Sequence, residues 1–137
     1  MKNDMVRFGG DTSRGVPGSI LLIEDEEMLR ILLETLLVEK GYTVLTAGDG
    51  LEGLNLYKQN KNNIGVVLTD MKLPTIDGYT AFLEMKRINP DVKAIFASGH
   101  IDNNTRARLQ LEGVRHFITK PYLVEEVLKA IVETLKE

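Results

Sequence analysis

The chain has 137 residues, the size of one domain, and 43% of them are hydrophobic, enough for one ordinary core. Lys and Arg total 17 against 20 Asp and Glu, a net charge of -3 with no block of like charge, which argues against the basic stripe that direct nucleic-acid binding needs. The absence of cysteine excludes disulfides, thiol chemistry and Cys-ligated zinc; apolar runs such as Ile20 to Ile23 fall far short of the ~20 residues of a membrane span, and with no signal-peptide h-region the cytoplasm is the expected compartment.

Residues 1–18 hold five glycine or proline residues, Gly9, Gly10, Gly15, Pro17 and Gly18, and read as a flexible linker or cloning remnant, leaving residues 19–137 as the domain. From Ser19 onward, short apolar runs alternate five times with helix-period segments, the pattern of a parallel α/β sheet. Ile20 to Ile23 leads into a helix with an apolar stripe of Leu29, Leu32, Leu33, Leu36 and Leu37, ending at Gly41. A second strand at Thr43 to Ala47 and a helix at Leu51 to Lys61 follow. The third strand, Ile64 to Thr69, is almost wholly apolar, as a central parallel strand buried on both faces should be. Pro74 and Gly78 break the chain before a helix at Tyr79 to Ile88. A fourth strand at Ala94 to Ala97, a polar helix around Thr105 to Glu112, a fifth strand at His116 to Ile118 and a helix at Val124 to Leu135 complete the domain.

In an open parallel sheet the ligand site lies outside the carboxyl ends of the strands. Glu24, Asp25 and Glu26 follow the first strand, Asp70 the third, Ser98 and His100 the fourth, and Lys120 and Pro121 the fifth. Clustered carboxylates repel unless a cation or proton intervenes. Hard oxygen ligands without His or Cys suit Mg2+, with Mn2+ able to substitute, and such an ion offsets the repulsion between an anionic phosphoryl donor and a carboxylate nucleophile. Lys120 supplies a compact positive charge for a phosphoryl oxygen, and Ser98 a hydrogen-bond donor. Taken singly, each residue has a plainer role: Asp25 and its neighbours can cap a helix, and Asp70 can open a turn.

The segments Ile20-Leu-Leu-Ile-Glu-Asp-Glu26, Leu68-Thr-Asp-Met-Lys-Leu-Pro-Thr-Ile-Asp-Gly78, Ala97-Ser-Gly-His100 and Thr119-Lys-Pro121 resemble, in order, the motifs of receiver domains of two-component response regulators and hybrid histidine kinases. The resemblance implies a doubly wound, five-stranded parallel sheet with helices on both faces, flavodoxin-like and CheY-like, in the order 2-1-3-4-5. It implies phosphorelay signalling: Asp70 accepts a phosphoryl group from a kinase phosphohistidine, and Glu24, Asp25, Asp70 and the Lys72 carbonyl hold Mg2+. Lys120 and Ser98 bind the phosphoryl group, Ser98 and Phe117 form the switch, and Lys72 and His100 tune dephosphorylation. Lys120-Pro121 is expected to be a cis peptide. The implied partners are a histidine kinase or phosphotransfer protein and a downstream effector or linked domain, with a phosphorylation-dependent dimer as a further form. Such a domain is a phosphoacceptor, not an enzyme acting on a separate substrate. The residues before Ser19 and the Ala97-Ser-Gly-His100 motif favour a receiver from a larger protein. Two departures stand out: Glu24-Asp25 replaces the commoner Asp-Asp pair, adding a methylene, and Phe117 replaces the frequent Tyr.

A rival reading rests on Gly48-Asp-Gly-Leu-Glu-Gly53, which matches G-x-G-x-x-G after a strand, as in nucleotide-binding Rossmann-like domains. It leaves Glu24, Asp25, Ser98 and Lys120 without a role and puts Gly48, Gly50 and Gly53 after the second strand instead of the first.

Overall fold

The computed structural model describes residues 18–137, so the linker expected at residues 1–18 lies, apart from Gly18, outside the described residues. The elements are β1 (Ser19–Ile23), α1 (Glu27–Glu39), β2 (Val44–Ala47), α2 (Gly50–Asn60), β3 (Ile64–Asp70), α3 (Gly78–Ile88), β4 (Ala94–Ser98), α4 (Asn103–Leu111), β5 (His116–Thr119) and α5 (Val124–Leu135). All strand pairs are parallel, in one sheet of order β2-β1-β3-β4-β5. The chain reverses direction of travel across the sheet between β1 and β3, which makes their carboxyl ends the natural ligand crevice.

Alternation along the strands divides the core. Leu21, Ile23, Val67 and Phe96 pack with Tyr57 of α2, Phe82 and Met85 of α3 and Leu109 of α4 on one face. Their neighbours Ile20, Leu22, Val66, Leu68 and Ile95 pack with Leu33 and Leu37 of α1 and Val127 and Ile131 of α5 on the other. Burial on both faces is why these strands read as continuous apolar runs.

Two differences from the sequence reading have physical causes. The third, fourth and fifth strands run one residue further, because Asp70 pairs with Ala97 and Ser98 with Thr119 in the ladder; polar residues stay in the sheet where a parallel partner holds them. The α1 stripe is narrower than its leucines imply. Leu33 and Leu37 are buried and Leu29 is partly covered, but Leu32 is 51% exposed, together with Met28, Ile31 and Val38. A step of one residue turns the helix by about 100°, so Leu32 cannot share the face of Leu33.

Candidate functional site

The four segments singled out by sequence converge at the carboxyl edge of the sheet. Glu24, at the end of β1, is 2% exposed, and its N–H donates to the Ala47 carbonyl of the neighbouring strand at 3.0 Å. Asp70, at the end of β3, is 7% exposed. Carboxylate oxygens of Glu24, Asp25 and Asp70 lie within 4.8 Å of one another. Lys120 reaches in from the end of β5, donating to Asp70 Oδ1 at 2.8 Å and to Glu24 Oε1 at 3.1 Å.

Three carboxylates face one ammonium, and the titration of the group reflects that imbalance. Burial, aided by the field of Glu24 and opposed by the hydrogen bond from Lys120, pushes the Asp70 carboxyl up to about 7. Burial disfavours the charge on Lys120, but Asp70 and Glu24 outweigh it and hold the ammonium above the ordinary lysine range. The donor set is all oxygen, hard and anionic, with no His or Cys, and so fits Mg2+ or Mn2+. Glu24 is the more occupied of the acids, since its Oε2 also accepts the Glu26 N–H at 3.0 Å. Asp25 is exposed, and α1 has Glu26 as its N-cap with no side-chain cap bond, so the structure gives Asp25 no capping role.

Ser98 is engaged with its own loop. Its hydroxyl donates to the His100 carbonyl at 2.8 Å and accepts the His100 N–H at 3.1 Å. Lys72 and His100 are exposed at the rim, and the Lys120-Pro121 peptide is cis. Phe117 is half-buried on β5, and the Arg106 guanidinium of α4 sits 4.3 Å from its ring centroid.

The segment after Asp70 is tied at both ends. At its base the Gly78 N–H donates to the Met71 carbonyl at 2.8 Å, and a Cβ on Gly78 would stand 2.0 Å from the Asp70 carbonyl oxygen, so no larger residue fits there. At its tip the Gly50 N–H donates to the Pro74 carbonyl at 3.2 Å, and a Cβ on Gly50 would stand 1.9 Å from the Ile76 carbonyl oxygen. Thr75 has φ +68, a left-handed conformation costing a β-branched residue about 1–2 kcal/mol. Two of the three glycines of the G-x-G-x-x-G match are thereby accounted for by packing: Gly50 receives this loop and Gly53 lies against the Ile23 side chain.

Sequence reasoning missed three contributors. Arg30, one turn into α1, donates to the Glu24 carbonyl at 2.8 Å. Arg106 lies outside the motifs, and Thr75 lies inside one without its contact being readable from it, because their partners are distant in sequence. The exposed apolar face of α1 did have a signal, a helix with more leucines than one stripe can bury.

The sequence model of the response regulator receiver domain family matches residues 20–132. The chain is 30% identical over 117 residues to the chemotaxis protein CheY of Bacillus subtilis, covering 85% of this chain and 96% of that protein. It is 29% identical over 119 residues to the sensor kinase CckA of Brucella abortus, covering 87% of this chain and only 13% of the kinase. Among solved structures, a response regulator receiver domain protein from Clostridium thermocellum superposes with a TM-score of 0.81 at 34% identity, over 87% of this chain and 94% of that one.

Proposed function

The chain belongs to the response regulator receiver domain family, a signalling family of two-component systems, and from that premise we propose that Asp70 accepts a phosphoryl group from a phosphohistidine. The observation that carries the reading is the buried Asp70 carboxylate in contact with Lys120 at 2.8 Å, beside two further acids. An Asp70 carboxylate oxygen attacks phosphorus in line; a P–O bond forms, the P–N bond of the donor breaks, and the imidazole leaves with its nitrogen lone pair. Lys120 then shares its charge with the phosphoryl oxygens it faces, and Ser98 exchanges its His100 bonds for one of them. Glu24, Asp25, Asp70 and the Lys72 carbonyl would hold Mg2+, which supplies charge neutralisation between the donor and the nucleophile. Among the described residues Asp25 has no hydrogen-bond or ion-pair partner for its carboxylate, whereas Glu24 shares its own with Lys120 and the Glu26 N–H.

The partner is a histidine kinase or phosphotransfer protein; the apolar Met28, Ile31 and Leu32 on α1, beside the site, support a protein donor docking there. Downstream, the readout is an effector, a linked domain or a second copy meeting the face of α4, β5 and α5. As Ser98 moves toward the phosphoryl group, Phe117 turns inward, and burying its ring favours the switched state by about 1.5–3 kcal/mol at most. Stacking by Arg106 opposes that turn by about 0.5–1 kcal/mol, so the two states stand close in free energy. Phe117→Ala is expected to leave phosphorylation of Asp70 nearly intact while weakening coupling to the partner. Fluorine NMR of a labelled Phe117 with Mg2+ and beryllofluoride reads the turn directly; an unchanged resonance would exclude this route.

Lys72 and His100 stand at the rim, where their side chains control the approach of hydrolytic water. Exchanging them should change the dephosphorylation rate more than the phosphorylation rate. Equal changes in both rates would remove the assignment.

A further inference from the structure

The loop between β3 and α3 carries the Lys72 carbonyl, and its tip is fastened to a different part of the chain. Thr75 Oγ1 accepts the Leu51 N–H at 3.0 Å, and its single proton faces two acceptors, Asp49 Oδ1 at 3.1 Å and the Pro74 carbonyl at 2.6 Å. Asp49 Oδ1 also accepts the Glu52 N–H at 2.8 Å, so the acceptor is itself fixed as the N-cap of α2. The Gly50 bond to Pro74 and the Leu51 bond to Thr75 join the loop tip to the first turn of α2, and the Thr75 proton adds a third bond when it turns from Pro74 to Asp49. The loop base is closed by Gly78 on Met71, which leaves Lys72 and Leu73 before the Gly50 bond on Pro74, and Lys72, Leu73 and Pro74 before the bonds of Thr75. Thr75 keeps a left-handed backbone that glycine would adopt without strain, and its hydroxyl is what glycine could not supply.

We propose that Thr75 is a positioning residue for the divalent cation: its hydroxyl, set between Asp49 and Leu51, fixes the loop that carries the Lys72 carbonyl before the ion arrives. The proposal rests on the metal-binding reading of Glu24, Asp25, Asp70 and the Lys72 carbonyl. A carbonyl on a span of two or three residues between fixed points has little conformational freedom to lose on ligation, whereas a loose loop would lose it at each binding event. The role also gives α2, which contributes no ligand, an influence on the site.

Titration with Mn2+ followed by the EPR signal of the free ion tests this on the intact chain, with melting temperatures measured alongside. Thr75→Val keeps the branched shape and the strain but lacks the hydroxyl; Thr75→Gly lacks the hydroxyl and relieves the strain. Both should bind Mn2+ about tenfold more weakly than the parent, while Thr75→Ser stays within about twofold. The two hydroxyl-free variants should differ from each other in melting temperature yet share the loss of affinity. Affinities that follow melting temperature, or that equal the parent's in both, would overturn the clamp while leaving the metal site standing. A parent chain that does not bind Mn2+ would overturn the metal reading itself, and the clamp with it.

Discussion

An Asp70→Asn chain is expected to take up no phosphoryl group from acetyl phosphate and, in metal-free buffer at pH 8, to unfold at a higher temperature than the parent. The first effect follows from the nucleophile: an amide offers phosphorus no carboxylate oxygen, and neither Glu24 nor Asp25 stands at the end of β3. The second follows from linkage. The Asp70 carboxyl is raised from its ordinary value of 3.8 to about 7, chiefly by burial and by Glu24, so the folded chain holds that proton more tightly than the unfolded one. The stability gained in this way is complete below about pH 4 and is lost as pH rises through about 7. Asparagine has no such charge to bury, and the gain at pH 8 should be about 1–3 kcal/mol, moderated by the Lys120 contact that the carboxylate keeps. Thermal unfolding across pH 4 to 8 checks it, with the advantage of the variant shrinking at low pH and on adding Mg2+, which favours the ionised parent. Parallel stability curves for the two chains would mean that burying this carboxylate costs nothing.

Asp25→Ala carries the next largest effect and separates metal binding from helix capping. Loss of a ligand should weaken Mg2+ binding by about 100-fold or more, at the upper end of what even supporting partners of a metal contribute. Stability should change by no more than about 0.5 kcal/mol, because Asp25 is exposed and α1 draws no side-chain cap bond from it. Isothermal titration with Mg2+ beside thermal unfolding gives both numbers. A less stable variant with normal Mg2+ affinity would return Asp25 to the helix start.

The residues at the strand ends were legible in sequence for a simple reason. Each follows an apolar run, directly or after one threonine, so Glu24, Asp70, Ser98 and Lys120 could be assigned to one sheet edge once the runs were recognised as parallel strands. Helix ends were less legible: α2 begins at Gly50 because Asp49 accepts the Glu52 N–H, and α4 at Asn103 because Asp102 accepts the Thr105 N–H at 2.8 Å, and such side-chain choices leave a weak trace. What sequence could not give was tertiary. Arg106 over Phe117 and Thr75 on Asp49 join residues 11 and 26 positions apart, through side-chain geometry that no periodicity encodes. Leu32 shows the opposite failure, an apolar residue assigned to the core by type although the helix turns it to solvent.

On this reading Asp70 takes the phosphoryl group in a reaction that needs a divalent cation. Incubating the chain with acetyl phosphate and Mg2+, measuring intact mass, and locating the added group by fragmentation tests it most directly. The expected result is a gain of one phosphoryl group, located at Asp70 and suppressed by EDTA. A chain that gains no mass, gains it equally in EDTA, or carries it on another residue would contradict the account.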